Sequence, residues 1–196
     1  MAGRMRVERK ETVYFDDTGP QNTADCVRIA CDRVKQGVRH VVVASTTGET
    51  GLKFARALEG TKTTLVSVAI STGWRGPNIQ ALDEAARAKM ESMGVKVHVG
   101  TIPTDGLEAA LAKSYQGVYP SQIVAETLWR FGHGTKVAVE VVMMACDAGL
   151  VPEGEDVLGV GGTNRGSDAV LLIKSAATRN FQDLKVLEIL AKPREG

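Results

Sequence analysis

The segment from Arg39 to Leu58 constrains this chain more than any other. Arg39–His40–Val41–Val42–Val43–Ala44 runs into Ser45–Thr46–Thr47–Gly48–Glu49–Thr50–Gly51 and then Leu52–Lys53–Phe54–Ala55–Arg56–Ala57–Leu58. A buried strand that ends in a hydroxyl- and glycine-rich turn and opens directly into an amphipathic helix is how α/β proteins set a phosphate over a helix N-terminus. The first amides of such a helix lack intrahelical partners and carry partial positive charge. The Ser and Thr hydroxyls add donors, and the glycines let the backbone come close. A phosphorylated small molecule is the expected guest. An ordinary N-cap accounts for one of these hydroxyls but not for the whole run. The turn is neither a Walker A loop, since the required Lys is missing, nor a dinucleotide GxGxxG. Glu49 has the wrong sign for an anion, and its spacing pairs it with Lys53 on the exposed helix face.

At 196 residues and without a Ser/Pro-rich linker, the chain fits one α/β domain over residues 1–196, with 1–11 a loosely ordered N-terminal extension. Its 24 Lys and Arg against 23 Asp and Glu leave a net charge of +1 and no basic stripe, so nucleic acid is not an expected partner. Cys26, Cys31 and Cys146 have neither CxxC nor metal spacing and read as buried, reduced thiols of a cytoplasmic protein. Met1 to Glu11 lacks an apolar signal core, and Val137 to Val151, interrupted by Glu140 and Asp147, is too short to span a bilayer. Neither export nor a membrane is expected, and no His, Asp or Glu set has metal-ligand spacing.

Strands and helices alternate along the chain. The pattern predicts strands at Thr12–Phe15, Arg39–Ala44, Thr63–Ile70, Val95–Val99, Asp156–Val160, Ala169–Lys174 and Val186–Lys192. Helices are expected from Asn22 or Thr23 to Gln36, Gly48 to Leu58, Ile79 to Met93, Leu107 to Ala112 and Pro120 to Phe131, the last ended by Gly132–His133–Gly134. Thr135–Ala148 is Val-rich like a strand, yet its apolar spacing and the Gly149 stop favour a helix. Apolar strands followed by helices argue for a doubly wound sheet.

Four stretches then carry a resemblance: Val42 to Thr50, Phe131 to Gly134, Val139 to Gly149, and Val160 to Asp168. In this order they resemble the C-terminal α/β domain of pyruvate kinase, and more closely the small stand-alone archaeal and bacterial proteins that consist of that domain alone. The likeness runs from about Tyr14 to Pro193. It implies a three-layer α/β/α fold with a mostly parallel sheet and one or more antiparallel edge strands. In many pyruvate kinases the equivalent turn binds a phosphate of an allosteric sugar bisphosphate. That places Ser45, Thr46, Thr47, Gly48 and Thr50 at a phosphate, with Glu49 in the same loop. The late loop, with Gly161, Gly162, Thr163, Arg165, Gly166 and Asp168, would enclose the ligand. The catalytic residues of pyruvate kinase belong to its barrel domain, so the resemblance does not imply that activity here. The stand-alone proteins look like binders of flavin mononucleotide (FMN), whose single phosphate needs fewer cations than a sugar bisphosphate. The family's pairing through this domain implies a homo-oligomer.

FMN would also need a wall for its ring. Trp74, in the Thr72–Gly73–Trp74 turn, is the stacking candidate, or else packs on the following helix. Arg165 could meet the phosphate or ring carbonyls, and Asp168 could accept from ribityl hydroxyls or cap its own turn. Trp129 reads as core. Glu140 and Asp147 share a helical face, where a carboxylate either transfers protons or, more commonly, bonds backbone amides to join two elements. His133 reads as a helix C-terminal residue. The function expected is binding of a phosphorylated small molecule, FMN first. The alternatives are a flavin-dependent oxidoreductase and a non-catalytic module sensing a sugar phosphate.

Overall fold

The structure, a computed structural model, describes residues 7–195. Of the expected extension at 1–11, residues 1–6 lie outside the described residues, and 7–11 carry no regular structure. The strands are β1 (Val13–Phe15), β2 (His40–Ala44), β3 (Thr64–Ile70), β4 (Lys96–Gly100), β5 (Asp156–Gly161), β6 (Ala169–Lys174) and β7 (Lys185–Pro193). The helices are α1 (Thr23–Lys35), α2 (Glu49–Ala57), α3 (Glu84–Ser92), α4 (Leu107–Tyr115), α5 (Pro120–Trp129) and α6 (His133–Asp147).

One seven-stranded sheet has the order β1-β7-β6-β5-β2-β3-β4. All neighbours pair parallel except around β6, which runs against both β5 and β7 towards the β1 edge. Alternation along the strands divides the core into two layers. Val41, Val43, Leu65, Leu158 and Val160 face α1, α2 and α3 through Cys26, Ala30, Phe54 and Met90. Val42, Val66, Val68, Val157 and Leu171 face the opposite way, onto Ala138, Val139, Val142 and Met143 of α6. Strands buried on both faces are what the continuous apolar runs require. Helix α6 lies unusually close to β5: a Cβ on Gly161 would stand 2.0 Å from the Gly134 carbonyl oxygen. Only a glycine permits that approach.

Four expectations need correction. Helix α3 starts at Glu84, not near Ile79, because Asp83 Oδ1 accepts the Ala86 amide at 2.7 Å and Gln80 Oε1 accepts that of Leu82 at 2.8 Å. Those local bonds compete with a longer helix. His133 opens α6 and does not close α5, which ends at Trp129; Gly132, at φ 109°, makes the break. Trp129 is not core, for its helix buries only Ala125 and leaves the indole 37% exposed. Of the cysteines, Cys26 and Cys146 are buried, with thiols pushed up by burial to about 12 and about 11, while Cys31 is only half-buried. Among the described residues no helix is long and apolar enough to cross a membrane.

Candidate functional site

The chain order reverses between β2 and β5: from β2 it moves outward to β3 and β4, then returns to β5 on the other side. Ligands of open α/β sheets sit at such a point, outside the carboxyl ends of the strands. A cleft of about 1540 Å³ opens there. Its walls bring together the 45–50 turn after β2, the 71–77 turn after β3, the 161–168 loop after β5, and faces of α5 and α6.

Of the expected site residues, Ser45, Thr46, Thr47, Glu49, Thr50, Trp74, Gly162, Arg165 and Gly166 line the cleft. The remaining ones, Gly48, Thr72, Gly73, Gly161, Thr163 and Asp168, are not among the residues that line it. Gly48 holds φ 92° at the N-cap position of α2. Ser45 Oγ accepts the Gly51 amide at 2.8 Å, so this buried hydroxyl caps the helix. The Glu49 and Thr50 amides are left without intrahelical partners. Glu49 pairs with Lys53 at 3.0 Å, as its spacing requires, and also with Arg165 at 3.2 Å. These two cations hold its carboxyl below the ordinary range, Lys53 contributing more.

Asp168 is fully buried and acts as a turn cap: Oδ2 accepts the Gly19 amide at 2.9 Å and the Thr163 amide at 3.1 Å. Gly166 is dictated by packing, because a Cβ there would meet Pro20 Cα at 2.5 Å. Thr72 is engaged by Gln80 at 3.0 Å. Trp74 does not sink into the core. It is exposed at the cleft mouth, and its Nε1–H donates to Asp105 Oδ2 at 2.7 Å. Asp147 lies apart from the cleft and accepts the Thr178 amide at 2.8 Å, tying α6 to the segment before β7.

The wall formed by α5 and α6 carries Lys136, which the sequence did not single out, beside His133 and Glu140, which it did; Glu140 is met by side chains and not by the backbone amides expected of it. His133, Lys136, Val137, Glu140, Val141 and Met144 recur at helical spacing and present one face of α6 to the cleft. Lys136 and Glu140 are 6% and 2% exposed and form an ion pair at 2.9 Å. Thr104, from the loop after β4, donates its hydroxyl to the same carboxylate. Burial pushes the Glu140 carboxyl up, with Lys136 and Thr104 pulling back. The Lys136 ammonium also stands 5.3 Å from the centre of the Trp129 ring, a cation–π contact. The i,i+4 spacing of Lys136 and Glu140 was a signal available in the sequence.

Comparison with known proteins bears on this geometry. The family model described as "Pyruvate kinase, alpha/beta domain" matches residues 24–173. The chain belongs to the pyruvate kinase α/β domain family. The match takes in the 45–50 turn, the 161–168 loop and all of α6, so every wall of the cleft is built from family sequence. Among solved structures, one similar chain is an NH3-dependent NAD synthetase from Campylobacter jejuni in complex with nitrate, 12% identical with a TM-score of 0.38, covering 74% of this chain and 56% of its own. Another is an O-ureido-L-serine synthase, 15% identical with a TM-score of 0.30, covering 67% of this chain and 48% of its own. This chain thus spans about half the length of each of these proteins.

Proposed function

We propose that this protein of the pyruvate kinase α/β domain family binds a phosphorylated small molecule, FMN foremost, in the cleft at the β2–β5 reversal. The observation that carries the reading is the convergence of the α2 N-terminal turn, the late glycine loop and an aromatic and apolar wall on one space. The amides of Glu49 and Thr50 with the hydroxyls of Thr46 and Thr47 would meet the phosphate. Arg165 supplies a mobile cation beside them once it leaves Glu49. The volume exceeds the ~300–1,000 Å³ usual for small-ligand pockets, which suits a ligand with a charged arm and a large ring. Trp129, Val137, Val141, Met144 and Ile123 also line the cleft and would supply the apolar surface that a ring system needs.

A bound flavin would bring hydride and electron transfer with it, and the protein would bind and orient. A flavin-dependent oxidoreductase is therefore a reading of the same site. The test is the absorbance spectrum of protein purified without added ligand: flavin bands that survive gel filtration support FMN. A colourless protein that takes up a sugar phosphate but no FMN moves the reading to metabolite sensing.

A further inference from the structure

On the cleft-facing side of α6, after His133 at its start, Lys136 and Glu140 stand among the apolar Val137, Val141 and Met144. A buried ion pair adds little net stability over hydrophobic side chains of similar volume, so stability alone does not account for it. Thr104 and Lys136 both meet Oε1 of Glu140, and Oε2 has no hydrogen-bond partner among the described residues. The ammonium has three donors, of which Glu140 takes one and the Trp129 ring faces another side. An open donor and an open acceptor thus stand next to each other on the cleft wall.

This pairing selects among ligand groups. A carboxylate would be repelled by Glu140 and an ammonium by Lys136, and a hydrocarbon would leave both charges dry and unanswered. A neutral group with a carbonyl beside an N–H satisfies both. We propose that Lys136 and Glu140 read the –CO–NH– edge of a cyclic imide or lactam carried by the phosphorylated ligand, Lys136 donating to the carbonyl and Glu140 accepting from the N–H. The inference rests on the cleft being a site for a phosphorylated ligand, and it names the chemistry at that ligand's other end.

The test uses the full chain and two matched pairs of probes: FMN with N3-methyl-FMN, and uridine 5′-monophosphate with its N3-methyl derivative. Methylation removes the imide donor and leaves the phosphate and ring in place. The expected result is a loss of about tenfold or more in affinity on methylation, the worth of one hydrogen bond to a charged group. In the double variant Lys136→Met/Glu140→Leu, which removes both charges together, the methylation penalty should fall to within about twofold. Equal affinity for the methylated and parent compounds in the native protein overturns the inference, whether or not the variant folds. A penalty that persists undiminished in the folded double variant overturns it too. If uridine monophosphate binds with the penalty and FMN does not bind, the imide inference stands and the flavin assignment falls. If FMN binds without a penalty, the reverse holds. Binding of neither parent compound removes both.

Discussion

The indole Nε1–H of Trp129 donates to Nδ1 of His133 at 3.3 Å, across the break between α5 and α6, with the two rings 20° from parallel. The bond needs an unprotonated Nδ1, so the neutral imidazole carries its proton on Nε2. Burial lowers the His133 pKa from 6.5, Lys136 pushes the same way, and Asp168 opposes. An NMR titration of the imidazole should give a midpoint below 6.5, and Trp129→Phe should move it up. The corresponding stability is present above 6.5 and is lost as pH falls below it, because the unfolded state then binds the proton first. A midpoint at or above 6.5 in the native protein would contradict this arrangement.

Ser45 and Thr47 sit in the same turn and should separate cleanly. Ser45 is buried and caps α2, so Ser45→Ala should cost about 1 kcal/mol in a urea titration of the ligand-free protein. Thr47 is exposed, so Thr47→Val should leave that titration unchanged and weaken FMN about tenfold while sparing riboflavin. Equal weakening of both flavins by Thr47→Val would place Thr47 away from the phosphate.

Arg165 is held by Glu49 at 3.2 Å, so the ligand phosphate competes with a carboxylate of the protein. Glu49→Gln should therefore tighten phosphate-ligand binding and Arg165→Ala should loosen it, both effects shrinking as salt is added. Neither change should move the ligand-free thermal midpoint, because exposed ion pairs contribute little. A midpoint that drops in Arg165→Ala with affinity intact would make Arg165 structural.

Much of this arrangement was legible in the sequence, and the reason is locality. The strand, the hydroxyl turn, its cap and the Glu49–Lys53 pair are set by neighbours within a few residues, and each stands where the spacing puts it. The Val-rich Thr135–Ala148 stretch could be recognised as helix from its period. What failed depended on tertiary context. Trp129 sits among apolar neighbours on α5, yet that helix presents it to the cleft instead of to the core. The glycines of the 161–168 loop also answer to packing that the sequence does not show, Gly161 to α6 and Gly166 to Pro20. Asp168 offered two roles in the sequence, and the amides of Gly19 and Thr163 take one of its oxygens as a cap.

Glu140 gives a pH signature of the buried pair. Burial raises its carboxyl above 4.5, Lys136 and Thr104 pull it back, and Asp105 adds a smaller upward push. The folded state then holds this proton to higher pH than the unfolded chain, so the associated stability falls as pH rises from 4.5 through the raised value. Urea titrations across that window should show the native protein losing stability relative to Lys136→Met/Glu140→Leu as pH rises. A difference that is flat or of opposite sign would contradict the burial of this carboxylate.

On the proposed function, a phosphate is held at the α2 turn and a ring in the cleft. Calorimetric titration of the full chain with FMN and with riboflavin, side by side, tests it most directly. FMN should bind about tenfold or more tightly than riboflavin, since the two share the ring and differ only in the phosphate. Equal affinities, or no binding of FMN at all, would contradict the account.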